Sequence, residues 1–340
     1  MTPSQLTAFL TKLIKEKLPI STMIWGAPGI GKSSIVASSA KEAGVQFIDL
    51  RLSQLAPTDL RGLPVPVHPS EEDKLGTSKW YPPEFLPREG KGILFLDELN
   101  MAPPAMQGVA QQLILDRKIG NYKVPNEWLI WAAGNRKEDR ASVFEMPTPL
   151  ANRFLHLDVE VNYDCFKAYA LSQELAEQVI AFLAFRPKLL HQIDDEQKAW
   201  PSPRSWEMAS RLFKVGLPLN SAIGDGASAE FNSYIDIYKK VPDFNAILNG
   251  NWKNINFPKQ VSLQWATTTG LTSRSKKPKE VQEVFHWLIK KASPEWVQMF
   301  AADIVHQFKK RNELTNLAEV VMKDTQIQKY LKDYEQLIKK

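Results

Sequence analysis

Gly26-Ala27-Pro28-Gly29-Ile30-Gly31-Lys32-Ser33 lies between an apolar run, Ile20 to Trp25, and a segment from about Gly31 to Ala43 with helical character. Glycine at the first and sixth positions, then Lys and Ser, is the pattern of a phosphate-binding loop. A strand before it and a helix after it are the context that the pattern requires. Each residue type has a physical reason. Glycines let backbone N–H groups curl around phosphate oxygens, and the N-terminus of the following helix adds a favourable dipole. The Lys32 ammonium would reach the outer phosphates, and the Ser33 hydroxyl would ligate Mg²⁺. The candidate nucleotide-binding set is Gly26, Ala27, Pro28, Gly29, Ile30, Gly31, Lys32, Ser33 and Ser34, with ATP and Mg²⁺ as the implied ligands.

About 60–70 residues downstream, Ile93-Leu94-Phe95-Leu96-Asp97-Glu98 reads as a buried strand that delivers two carboxylates at its C-terminal end, where ligands sit in open α/β sheets. Asp97 is expected to hold Mg²⁺ with Ser33, and Glu98 to polarise the attacking water. Further strands are expected at Val45–Leu52, Trp128–Ala133 and Phe154–Val159, with helices at residues 4–18 and from Pro104 to Leu115. Strands alternating with helices imply a parallel sheet up to about residue 158. Asp116 to Glu127 has the turn residues and alternation of a hairpin. Residues 53–90, with seven prolines, read as a long insertion or loop. Residues 163–220 and 258–340 follow a helical period, with a Gly/Ser/Asn-rich break near Asn220–Asn232.

Composition sets the outer bounds. The 340 residues are 44% hydrophobic and 24% charged, which excludes a collagen-like or disordered chain. The single cysteine, Cys165, excludes an internal disulfide and a four-cysteine zinc site, so a reducing cytoplasm is expected. The five histidines are scattered without metal-ligand pairing, and His156 reads as a partly buried structural residue in a strand. Met1 to Leu18 is unlike a signal peptide, and no apolar run approaches the ~20 residues needed to span a bilayer. Net charge is +5, and the excess lies late: the last hundred residues hold 16 Lys/Arg against 10 Asp/Glu. Lys276-Lys277-Pro278-Lys279 and Lys309-Lys310-Arg311 suit either a solvated helical face or a nucleic-acid contact.

With both motifs in place, the chain resembles the AAA+ ATPases, and within them the MoxR family. The likeness spans residues 20–210 and rests on Gly26–Ser33, Asp59-Leu60-Arg61-Gly62, Trp80 to Leu86, Ile93 to Asn100, Ala132-Ala133-Gly134-Asn135, Leu150-Ala151-Asn152-Arg153-Phe154 and Ser202-Pro203-Arg204-Ser205-Trp206. The resemblance implies an α/β AAA+ P-loop NTPase core with a parallel sheet in an αβα sandwich, then an all-α lid and a helical C-terminal region. The expected domains are 1–158, 159–240 and 241–340. It also implies roles. Asn135 would be the polar sensor that orients water with Glu98; without the resemblance, Gly134-Asn135 is equally good turn chemistry. Arg153 would be an arginine finger donated to a neighbouring subunit's ATP, against the commoner fate of a surface arginine paired with a carboxylate. Arg140 is a second interface candidate. Arg204 would reach the γ-phosphate from the lid.

The family likeness extends to partners. It implies Mg²⁺-dependent ATP hydrolysis by a homo-oligomeric ring, expected to be a hexamer, that remodels a protein client in a chaperone-like way beside a von Willebrand factor A domain protein. Gln54–Pro66 and the Asp116–Glu127 hairpin would be inserts facing a central channel, or mere surface decoration. The alternative is a DNA-associated motor or loader that uses the basic C-terminal third. No membrane partner is expected.

Overall fold

Short apolar runs in the first half of the chain become strands, and each strand sends alternate residues to opposite faces of the sheet, so the central ones are buried on both sides. A computed structural model describes residues 1–67, 77–139, 143–194 and 196–338. Two compact units make up the chain, Met1–Asn162 and Tyr163–Lys340.

The first unit holds strands β1 (Thr22–Trp25), β2 (Gln46–Arg51), β3 (Leu63–Val67), β4 (Thr77–Tyr81), β5 (Gly92–Asp97), β6 (Lys118–Ile119), β7 (Tyr122–Lys123), β8 (Trp128–Gly134) and β9 (Leu155–Asp158). Its helices are α1 (Pro3–Lys15), α2 (Lys32–Ala43), α3 (Pro57–Arg61), α4 (Pro104–Asp116) and α5 (Thr148–Ala151). Five strands form a parallel sheet in the order β2-β5-β8-β1-β9. Alternation in β5 fills both faces. Ile93 and Phe95 pack with Leu6 and Leu10 of α1 and Val36 of α2. Leu94 and Leu96 pack with Met106, Ala110 and Leu113 of α4. β8 divides likewise, Trp131 and Ala133 to the first face and Ile130 and Ala132 to the second. The result is the αβα sandwich expected of this sequence.

The proline-rich insertion is more ordered than its composition suggests. It contains α3 and a hairpin in which Leu63 to Val67 of β3 face Tyr81 to Thr77 of β4. Pro64 and Pro66 are tolerated because a two-stranded ribbon leaves half its backbone groups outside the ladder. Residues 68–76, expected to belong to the same loop, lie outside the described residues. The second hairpin, β6 with β7, falls within the Asp116–Glu127 segment.

The second unit is helical: α6 (Tyr163–Ser172), α7 (Glu177–Phe185), α8 (Pro203–Lys214), α9 (Asn220–Ile223), α10 (Asp225–Tyr238), α11 (Phe244–Leu248), α12 (Val261–Arg274), α13 (Pro278–Lys291), α14 (Pro294–Lys310), α15 (Leu314–Lys323) and α16 (Thr325–Ile338). The expected break at Asn220–Asn232 is instead α9 and the first half of α10. Ala227, Phe231, Tyr234 and Tyr238 recur at helical spacing and are all buried, so packing overrides the weak propensity of Gly226 and its serine and asparagine neighbours.

Candidate functional site: a strand-end cluster at the phosphate loop

Three neighbouring strands, β5, β8 and β1, end at one edge of the sheet and set the candidate residues side by side. At the end of β1 the loop turns through Gly29 and Gly31 at φ of 80° and 92°, a left-handed conformation that glycine adopts without penalty. Gly31 then opens α2, and among the described residues no side chain caps that helix end. The first turn therefore keeps its positive pole for a bound anion.

Lys32 folds back over the loop. Its Nζ donates to the Gly26 carbonyl at 2.7 Å, the Ala27 carbonyl at 3.1 Å and Asn135 Oδ1 at 2.8 Å. The Ser33 hydroxyl donates to Asp97 Oδ2, so the two expected metal ligands already touch. Glu98 follows at φ 57°, an unusual backbone state for a side-chain-bearing residue, with its N–H donating to Asp97 Oδ1 at 2.9 Å. That turn swings the Glu98 carboxylate to Ser53, whose hydroxyl donates to Oε2.

Asn135 is held from beneath. Asn100 Nδ2 donates to the Asn135 carbonyl at 2.8 Å, and the Asn135 N–H donates to Asn100 Oδ1 at 3.1 Å. Both asparagines are buried, 8% and 4% exposed, so the reciprocal pair fixes the position of the Asn135 side chain. The clamp needs Gly134: a Cβ there would stand 2.4 Å from Asn100 Oδ1 and 2.6 Å from the Met23 methyl. Next to the acidic pair, Asp49 of β2 has its pKa raised by burial first and then by the negative charges of Asp97 and Glu98, with Arg51 opposing.

The first unit thus gathers Lys32, Ser33, Asp97, Glu98 and Asn135. Arg153 is set apart in the same unit, exposed in the turn after α5, with no hydrogen-bond or ion-pair partner for its side chain among the described residues. Arg204 is exposed at the second position of α8 in the second unit, after a Ser202–Ser205 capping box. Arg140 lies outside the described residues. Ser53, Asn100 and Asp49 were missed by sequence reasoning. Their only signal is position: Asp49 and Ser53 belong to the end of the strand beside β5, which becomes meaningful once the strand order is known.

The donor set fits nucleotide and metal: a hydroxyl in contact with a carboxylate, an ammonium over a glycine loop, and an uncapped helix N-terminus. Among the described residues, no helix is long and apolar enough to cross a membrane.

Known proteins place this geometry. Residues 22–156 match the family described as ATPase family associated with various cellular activities (AAA). The chain is similar to Midasin of Giardia intestinalis, 26% identical over 215 residues that cover 59% of this chain and 4% of that protein. It is also similar to Midasin of Dictyostelium discoideum, 36% identical over 89 residues, 25% of this chain and 1% of that protein. The chain therefore spans only a few per cent of the length of these relatives. Among solved structures, a Thermotoga maritima RuvB P216G mutant aligns with TM-score 0.43 and 13% identity, covering 74% of this chain and 75% of that one. NtrX from Brucella abortus, in complex with ADP, aligns with TM-score 0.41 and 14% identity, covering 88% and 68%. Residues 22–156 thus carry an AAA ATPase domain.

Proposed function

We propose that this ATPase is of MoxR type and works as a homo-oligomeric ring that remodels a protein client, beside a partner bearing a von Willebrand factor A domain. The observation that carries the catalytic part is the meeting of Lys32, Ser33, Asp97, Glu98 and Asn135 at the ends of β1, β5 and β8. ATP phosphates take the place of the loop carbonyls on Lys32. Ser33 and Asp97 would hold Mg²⁺, which when bound spreads charge off the β- and γ-phosphate oxygens. Glu98, released from Ser53, accepts a proton from the attacking water as its oxygen bonds to the γ-phosphorus and the bond to ADP breaks. Asn135 orients that water. Arg153, exposed and without a side-chain partner among the described residues, serves the neighbouring subunit's γ-phosphate, and Arg204 serves its own from the lid, residues 159–240.

The test is Glu98→Gln in the assembled protein. Turnover should fall by about 10²–10⁴-fold while ATP affinity, read by equilibrium binding, is kept. Undiminished hydrolysis would sink the assignment. The alternative of a DNA motor loses support from the way the C-terminal basic residues are used. Lys276 pairs with Glu174 at 3.3 Å, Arg311 pairs with Glu313 at 3.3 Å, Lys290 lies over the Trp252 ring and Lys291 donates to Asn256. DNA binding that weakens steeply from low to physiological salt would revive it.

A further inference from the structure

Two contacts join the base of the phosphate loop to the turn that carries Arg153. Trp25 ends β1, immediately before Gly26. Its indole Nε1–H donates to His156 Nδ1 at 2.8 Å, and the rings lie 6.0 Å apart at 11°. The other ring nitrogen, Nε2, lies 2.8 Å from the Ala151 carbonyl oxygen. Ala151 ends α5, and the same carbonyl accepts from the Phe154 N–H at 3.2 Å, closing a turn of which Arg153 is the third residue.

These neighbours dictate the state of the ring. An indole N–H can only donate and a carbonyl can only accept. Nδ1 must therefore be bare and Nε2 must carry the hydrogen, which is one tautomer of neutral histidine. His156 is not the partly buried residue its strand pattern suggests: it is exposed on β9 and bonded at both nitrogens. The backbone runs in parallel with this link. The Val159 N–H donates to the Trp25 carbonyl at 2.8 Å, and a Cβ on Gly26 would stand 2.8 Å from the Val159 carbonyl oxygen.

We propose that His156 is a positioning residue, and that Trp25, His156 and the Ala151 carbonyl form a relay that aims Arg153 according to the state of the subunit's own phosphate loop. This rests on the reading of Arg153 as a finger for the neighbour. Closing the loop on phosphates begins at the residue after Trp25. A shift of the indole is handed through the imidazole to the carbonyl that closes the Arg153 turn. Occupancy of one site thereby sets turnover at the next.

The test separates what a residue does for its own site from what it does for its neighbour's. Glu98→Gln subunits keep Arg153 but cannot hydrolyse, and Arg153→Ala subunits keep an intact site but offer no finger. Assembled together, they should regain turnover at mixed seams. His156→Phe is then placed in one parent or the other. The relay predicts that the loss of regained turnover is about tenfold greater when the substitution sits in the Glu98→Gln donor. Equal losses on the two sides, or a greater loss in the Arg153→Ala acceptor, overturn it and leave a merely structural contact. Trp25→Phe keeps an aromatic side chain while removing the indole N–H together with its five-membered ring, and it carries the same comparison should His156→Phe fail to assemble. A parental mixture that regains nothing overturns the reading of Arg153 in trans, and the relay falls with it.

Discussion

The polar side chains of the two units are arranged for opposite purposes. In the second unit several charged side chains are paired with one another and largely closed off. Glu177, 10% exposed, takes Arg274 through Nε at 2.9 Å and Nη2 at 2.6 Å, and also the Tyr238 hydroxyl at 2.8 Å. Lys167 meets Asp303, and Asp324 accepts from Gln282 at 2.6 Å beside His286 at 2.7 Å. Each cluster ties helices far apart in sequence. At the phosphate loop of the first unit the charged groups are only partly buried: Lys32 leans on two loop carbonyls and Asn135, Asp97 on the Ser33 hydroxyl and the Glu98 N–H, and Glu98 on the Ser53 hydroxyl. A charge held by a permanent partner stabilises; one held by a weak partner is available to a ligand.

The contrast can be broken by exchange of symptoms. The largest effect belongs to Arg153→Ala, which should lower turnover of the assembled protein about 10³-fold. Because the Arg153 side chain has no partner among the described residues, its melting temperature should hardly move. Steady-state hydrolysis beside a thermal melt reads both quantities, and a large drop in melting temperature would place Arg153 with the structural pairs.

Glu177→Gln should do the reverse. It removes the carboxylate charge and the second oxygen of the bidentate Arg274 contact, at a cost of about 2 kcal/mol. That corresponds to about 4–8 °C in the melt of a unit this size. The ATP affinity of the folded fraction should be unchanged, and a selective loss of nucleotide binding would show that the network is more than a tie between helices.

Asp49→Asn is the smallest and tests a residue between the two kinds. A carboxyl whose folded pKa is raised above the ordinary 3.8 contributes stability below that value and loses it as pH rises through the folded pKa. Above it, the ionised Asp49 opposes Asp97 and Glu98. The substitution should therefore raise the melting temperature slightly at pH 8 and not at pH 3. An equal shift at both would mean that the charge is irrelevant.

Much of this was legible beforehand because it is local. The loop Gly26–Ser33, the Asp97-Glu98 strand end and the Lys118–Lys123 hairpin are written in consecutive residues, and unbroken apolar runs mark β5 and β8. What was illegible depends on distant partners. β3 and β4 hide behind Pro64 and Pro66, since strand-breaking composition says nothing of a ribbon that needs only alternate bonds. α10 hides behind Gly226 and its polar neighbours, because burial of Phe231 and Tyr234 is a tertiary fact. Ser53 and Asn100 act through contacts 45 and 35 residues away. No spacing rule could have paired them with Glu98 and Asn135.

The strand order has a consequence for synthesis. β1 is made before β8 and β9, its neighbours in the sheet, so Thr22 waits for Trp131 and Leu155 before it is flanked. Pairings of such long range are slow to form because loop closure must precede the contacts that reward it. On the ribosome the segment Gly26–Ser33 emerges before β8 and β9, the strands that flank β1. A nascent chain stopped before residue 128 would carry the whole phosphate-loop motif and no site to go with it.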